Sequence, residues 1–225
     1  QRVPAEEALA GPAREEAASA GRLTGRSRPR RVPAMAGGAL ASGVSFHSIP
    51  GLRQGVVALA ERLSAAGHPT VAPDLYAGRA AADVEEGFAI HRGIGEATIL
   101  HRARLGARGQ PADAVLAVIS MGGGVAGTLW LERPEARGVL FLSGPGPIPL
   151  PRPSEAPVQM HMARPDPFDS EEFVAEWSAD PAAQPLAVFR YDGVGHNFLD
   201  AGGPDWNAEA AALCERRILA FLDGL

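Results

Sequence analysis

The chain has 225 residues, 46% hydrophobic and 21% charged, enough for one globular domain with a full core. A formal net charge of −5 with no basic helix argues against a nucleic-acid partner, and no apolar run approaches the roughly 20 residues that cross a bilayer. A single cysteine, Cys214, leaves no internal disulfide and favours a cytoplasmic setting, and all 21 basic residues are arginine, which excludes lysine-based Schiff-base or Ser–Lys chemistry.

Residues 1–34 are rich in Ala, Arg, Glu, Gly and Pro and nearly devoid of large apolar side chains. Such a segment cannot bury enough surface to offset the entropy of ordering it, so a disordered or non-native extension is expected, with Met35 as the start of the folded part. The extension carries net +3 and the remainder −8. Its four glutamates weigh against a transit peptide, and it has no apolar core of a secretory signal.

From residue 35 to 225 strand and helix signals alternate. Residues 41–47 predict a weak first strand, ending at His47-Ser48-Ile49-Pro50-Gly51. Val56, Leu59, Ala60, Leu63 and Ala66 repeat at helical spacing, with Gly67 at the C-terminal cap position. Residues 70–72 read as a short buried strand, and 83–90 and 98–108 as helices. Residues 115–119 are the central strand, 124–131 the helix after it, and 139–142 another buried strand. A Pro- and Gly-rich segment follows, placed either as a lid or as a rigid bypass. Strands over 158–162 and 186–191 and a helix over 208–222 complete the chain. The alternation predicts an α/β fold with a doubly wound, mostly parallel sheet covered on both faces.

The chemistry centres on Val115-Leu116-Ala117-Val118-Ile119-Ser120-Met121-Gly122-Gly123-Gly124. Five apolar residues run into a serine, and small residues open the next helix. That pattern predicts a strand–turn–helix corner presenting Ser120 at the C-terminal edge of the sheet. The backbone N–H groups of Met121 and Ile49 are the expected oxyanion donors. His196, in Gly193-Val194-Gly195-His196, has an imidazole suited to take the serine proton. Asp166, between two prolines, would orient that ring, with Asp169 and Asp192 as stand-ins. The order Ser, Asp, His is that of an α/β-hydrolase. A rival reading takes Gly122, Gly124 and Gly127 as a dinucleotide-binding turn, but no acidic residue follows about 20 positions on for a ribose.

Other residues read more plainly. His47 is expected to support the loop after the first strand, since no partner at ligand spacing makes it a metal ligand. Cys214 falls on the buried stripe of the last helix. Trp130, Trp177 and Trp206 either line a cleft or cover the sheet.

Over nearly all of residues 35–225 the chain resembles the dienelactone hydrolase family, a branch of the α/β-hydrolases. The matching pieces are Phe46-His47-Ser48 with Gly51-Leu52-Arg53, the helix over 56–67, Pro73-Asp74-Leu75-Tyr76 with Gly78-Arg79, Ser120-Met121-Gly122-Gly123, Asp166-Pro167-Phe168 and Gly195-His196. The resemblance implies an α/β-hydrolase fold with Ser120 as nucleophile, Asp166 as acid and His196 as base, and no metal or organic cofactor. Two positions depart from the pattern. Val118 stands where a glycine is usual and is expected to crowd the turn. Ser48 stands where dienelactone-cleaving members carry a glutamate. Arg79 sits where such enzymes hold a substrate carboxylate, although an ordinary surface charge fits equally well.

The reading is therefore a serine carboxylic-ester hydrolase acting on a small ester or lactone, monomeric or homodimeric, with no membrane partner. The alternative is a catalytically silent member that binds ligands or partners through the same cleft.

Overall fold

The computed structural model describes residues 40–225; the expectation for residues 1–34 lies outside them. The elements follow as β1 (Gly43–Phe46), α1 (Gln54–Ala65), β2 (Thr70–Val71), α2 (Val84–Ile94), α3 (Glu96–Ala107), β3 (Val115–Ile119), α4 (Gly123–Glu132), β4 (Val139–Leu142), β5 (Val158–Arg164), α5 (Glu171–Ala179), β6 (Leu186–Asp192) and α6 (Ala208–Asp223). The six strands form one sheet in the order β2-β1-β3-β4-β5-β6, and every neighbouring pair is parallel.

Burial explains the apolar run of β3. Leu116 and Val118 point into one core with Ile99 and Ala103 of α3 and Leu129 and Trp130 of α4. Val115, Ala117 and Ile119 point into a second core with α1 and α6, among them Leu59, Leu63, Cys214 and Ile218. A strand covered on both faces has no solvent side to leave polar, so alternation disappears from its sequence. The order reverses at β1, which lies between β2 and β3. Beside that switch point the loops after β1 and β3 separate and leave a crevice at the carboxyl edge.

Element ends differ from the sequence reading by a few residues, as fraying and local caps dictate. α2 starts at Val84 because the Asp83 side chain accepts from the Glu86 N–H, while the Glu86 carboxylate accepts from the Ala82 N–H. α5 was not anticipated. Ser170 caps it by accepting from the Phe173 N–H, and Glu171 and Glu172 occupy its first turn.

Residues 145–157 form a pinned bypass rather than a free flap. Trp177 Nε1 donates to the Gly146 carbonyl at 3.0 Å, and Trp130 Nε1 donates to Ser154 Oγ at 3.1 Å. A Cβ at Gly127 would lie 2.8 Å from the Pro147 carbonyl oxygen, so α4 touches this segment directly. Two of the three tryptophans thus anchor the segment over the sheet.

Candidate active site

Ser120 follows β3 immediately and adopts φ 51°, a left-handed conformation that is costly for a residue with a Cβ. The strain is held by a single 3-10 turn over Ser120–Gly122 that leads into α4. The turn lifts the hydroxyl off the sheet edge. Ser120 Oγ lies 2.9 Å from His196 Nε2.

His196 arrives on the loop after β6. Gly195 just before it has no room for a side chain, because a Cβ there would stand 2.4 Å from the Asp205 carboxylate carbon. Asp205 also accepts from the Asn197 N–H, which fixes the backbone on the far side of the ring. Phe168 packs edge-on against the imidazole with centroids 4.6 Å apart. The ring is 5% exposed, so its direction is set by packing.

Asp166 follows β5, and its Oδ2 lies 2.8 Å from His196 Nδ1. Its other oxygen accepts from the Phe168 N–H at 3.0 Å, and the carboxylate is fully covered. Burial by itself would raise its pKa. Hydrogen bonds from His196 and from the Phe168 and Asp169 backbones, with the attraction of a charged His196, outweigh that and hold it below the ordinary value. The carboxylate takes the Nδ1–H, which leaves Nε2 free to accept the Ser120 hydroxyl proton.

The stand-ins fall elsewhere. Asp192 is exposed and forms an ion pair with Arg164. Asp169 borders the cavity over Ser120, and burial together with the nearby Asp166 charge raises its pKa.

The cavity measures about 310 Å³. Ser120, His196, Ser48, Ile49 and Met121 all border it, so the expected oxyanion donors stand with the serine. The rest of its wall is mostly apolar and includes Val84 and Phe88 of α2, to which the sequence reading gave no role. The signal was available: two large apolar side chains one turn apart on the outer side of a helix, 39% and 42% exposed.

Arg79 requires a correction. It is exposed, its Nε donates to the Tyr76 carbonyl at 3.4 Å, and it does not border the cavity. The loop before it is closed on itself, since Asp74 accepts from the Tyr76 and Gly78 N–H groups. His47 supports the first loop as expected. Its Nδ1–H donates to the Ser48 carbonyl at 2.9 Å and its Nε2 accepts from the Leu75 N–H at 3.1 Å. Burial lowers its pKa, against the Ser48 hydrogen bond and the Asp74 charge, which raise it. Two of the three glycines of the rival dinucleotide reading serve packing instead, Gly122 against β1 and Gly127 against Pro147.

The model of the Dienelactone hydrolase family matches residues 42–225. No curated protein sequence matches the chain. A solved structure named as a candidate dienelactone hydrolase, from Klebsiella pneumoniae subsp. pneumoniae, has a TM-score of 0.63 at 18% identity, over 86% of this chain and 90% of that one. A dienelactone hydrolase-like promiscuous phosphotriesterase from metagenomic libraries gives 0.64 at 18% identity, over 84% and 88%. The thioesterase domain from the curacin biosynthetic pathway gives 0.58 at 13% identity, over 80% and 91%. At these identities the shared property is the fold.

Proposed function

The chain belongs to the dienelactone hydrolase family of α/β-hydrolases, and from that premise we propose that it cleaves a small carboxylic ester or lactone through a seryl acyl-enzyme. One observation carries the reading: an unbroken hydrogen-bond chain from Ser120 through His196 to Asp166, at 2.9 and 2.8 Å.

The steps follow from the atoms in that chain. Ser120 Oγ attacks the substrate carbonyl carbon while its proton passes to His196 Nε2. The carbonyl oxygen becomes an alkoxide facing the backbone N–H groups of Met121 and Ile49. When the tetrahedral centre collapses, the bond to the leaving oxygen breaks and His196 returns the proton to that oxygen. Water then adds to the acyl-enzyme, giving a proton to His196. The second collapse releases the carboxylic acid and restores the Ser120 hydroxyl. Throughout, the covered Asp166 carboxylate favours the charged imidazole and keeps its Nε2 aimed at the serine.

The test is hydrolysis of p-nitrophenyl acetate by wild type and Ser120→Ala. Wild type should turn over with a burst of p-nitrophenol, and the variant should lose at least about 10³-fold in kcat. Equal rates in the two proteins would remove Ser120 from the chemistry. No hydrolysis in either, with a fluorophosphonate probe failing to label Ser120, would favour the silent member.

A further inference from the structure

A second cavity of about 380 Å³ adjoins the first and shares three wall residues with it, Ile49, Phe88 and Met121. It lies between α2, α3 and α4, and its apolar wall includes Ile99, Leu100 and Val125. Polar groups, His91, Glu96 and Thr128, also line it. Nothing in the ester chemistry above uses this space.

The stereochemistry of the tetrahedral centre decides which part of a substrate points there. Four groups surround the carbon: Ser120 Oγ, the oxyanion, the leaving oxygen and the acyl substituent. The leaving oxygen must sit beside His196 Nε2, which protonates it. His196, Phe168 and Asp169 border only the first cavity. The second cavity shares Met121 and Ile49 with the first and is not bordered by the imidazole. The oxyanion stops at the backbone N–H groups of Met121 and Ile49, so the acyl substituent is the group left to extend past their side chains.

Charge selects the kind of acyl group. Among the described residues no arginine borders either cavity, and the carboxylates that do are Asp169 in the first and Glu96 in the second. An anionic acyl group would face those carboxylates with no arginine to pair with, whereas methylene groups would be transferred from water onto the apolar walls.

Resting on the hydrolase reading, we infer that the second cavity is an acyl-chain subsite, and that the substrate is an ester with a neutral apolar acyl group extending well beyond acetate. Phe88 and Met121 form the passage between the two compartments. The residue that controls occupancy is Gly124, since a Cβ there meets nothing within 4 Å and a larger side chain would project into the open space of the subsite.

The experiment compares kcat/KM for p-nitrophenyl acetate, butyrate and octanoate in wild type, Gly124→Leu and Thr128→Phe. A parallel series of ethyl and octyl acetates places the chain on the leaving group instead. In wild type the octanoate-to-acetate ratio should exceed about 10, as several buried methylenes imply. Gly124→Leu should lower that ratio at least about tenfold, with an unchanged melting temperature and little effect on the alkyl acetate ratio. Thr128→Phe fills the same space from the next turn of α4 and should act in the same direction if Gly124→Leu folds poorly. A wild-type ratio below one, or a ratio indifferent to both plugs, overturns the subsite while leaving Ser120-dependent acetate hydrolysis intact. Sensitivity confined to the alkyl acetates overturns the acyl assignment. Absence of Ser120-dependent hydrolysis on every ester removes the hydrolase reading and the subsite with it.

Discussion

Gly122 and Val118 share one small volume beneath the serine turn: a Cβ added at Gly122 would lie 3.2 Å from Val118 Cβ and 3.2 Å from the Phe46 carbonyl oxygen. Val118 is 1% exposed, so it has nowhere to retreat. The crowding expected from a branched residue two positions before Ser120 is relieved by the missing side chain two positions after it. The turn keeps its left-handed serine, φ 51°, with valine in place.

Gly122→Ala should therefore destabilise the fold by about 1–3 kcal/mol, as overpacking of a filled site does. It should also reduce kcat, because the displaced turn carries Ser120. Val118→Gly removes one of the two close neighbours. The double variant should consequently lose less than the sum of the single losses, by about 0.5 kcal/mol or more. Urea denaturation of the four proteins measures the coupling, and strict additivity would show that the two positions do not compete for space.

Asp166→Asn removes the charge that favours the imidazolium while preserving shape, and should lower kcat by about 10⁴-fold on any ester the protein cleaves. Asp192→Asn should leave kcat within about twofold, since its carboxylate is exposed and paired with Arg164. Steady-state kinetics of the two variants separates the carboxylates. A large loss in Asp192→Asn would reassign the acid.

Acid sensitivity should trace in part to His161. The ring is fully buried, held by the Tyr191 hydroxyl and Gln159 Oε1 at 2.8 Å each. Burial, aided by the charge of Arg217, pushes its pKa down to about 3. Unfolded, the same imidazole takes a proton below about 6.5. The unfolded state thus binds more protons across that window, and stability is complete above about pH 6.5 and lost as pH falls toward 3. The expected slope from this one group is about 1 kcal/mol per pH unit between pH 6 and 4. His161→Phe preserves the stacking on Phe189, 5.1 Å between centroids, and should flatten the dependence by that amount. Urea midpoints at pH 4, 5, 6 and 7 test this, and an unchanged slope would mean the ring titrates normally in the folded protein.

Local sequence carried much of this site because its parts are short and their chemistry is local. The five apolar residues of β3 ending in Ser120 needed only knowledge of a buried strand. Gly195 beside His196, and Asp166 after β5, lay at loop positions where a backbone must turn or stop. Arg79 was ambiguous for the opposite reason: whether a loop arginine reaches a cavity depends on how the whole loop packs, and here it stands outside the cavity wall. α5 escaped because it is nine residues long and buries only Val174, and its capping serine signals a helix only when the following turn is already suspected.

By itself the sequence determined the alternation of strands and helices and the order of hydroxyl, carboxylate and imidazole along the chain. Both depend on residue type and spacing within a few positions. Only the tertiary structure decided that Ser120, Asp166 and His196 meet at 2.9 and 2.8 Å, that Val118 fits because Gly122 is empty, and that α2 brings Val84 and Phe88 over the serine. Those relations join segments dozens of residues apart, and their geometry is set by how helices pack on the two faces of a twisted sheet, which no local pattern encodes.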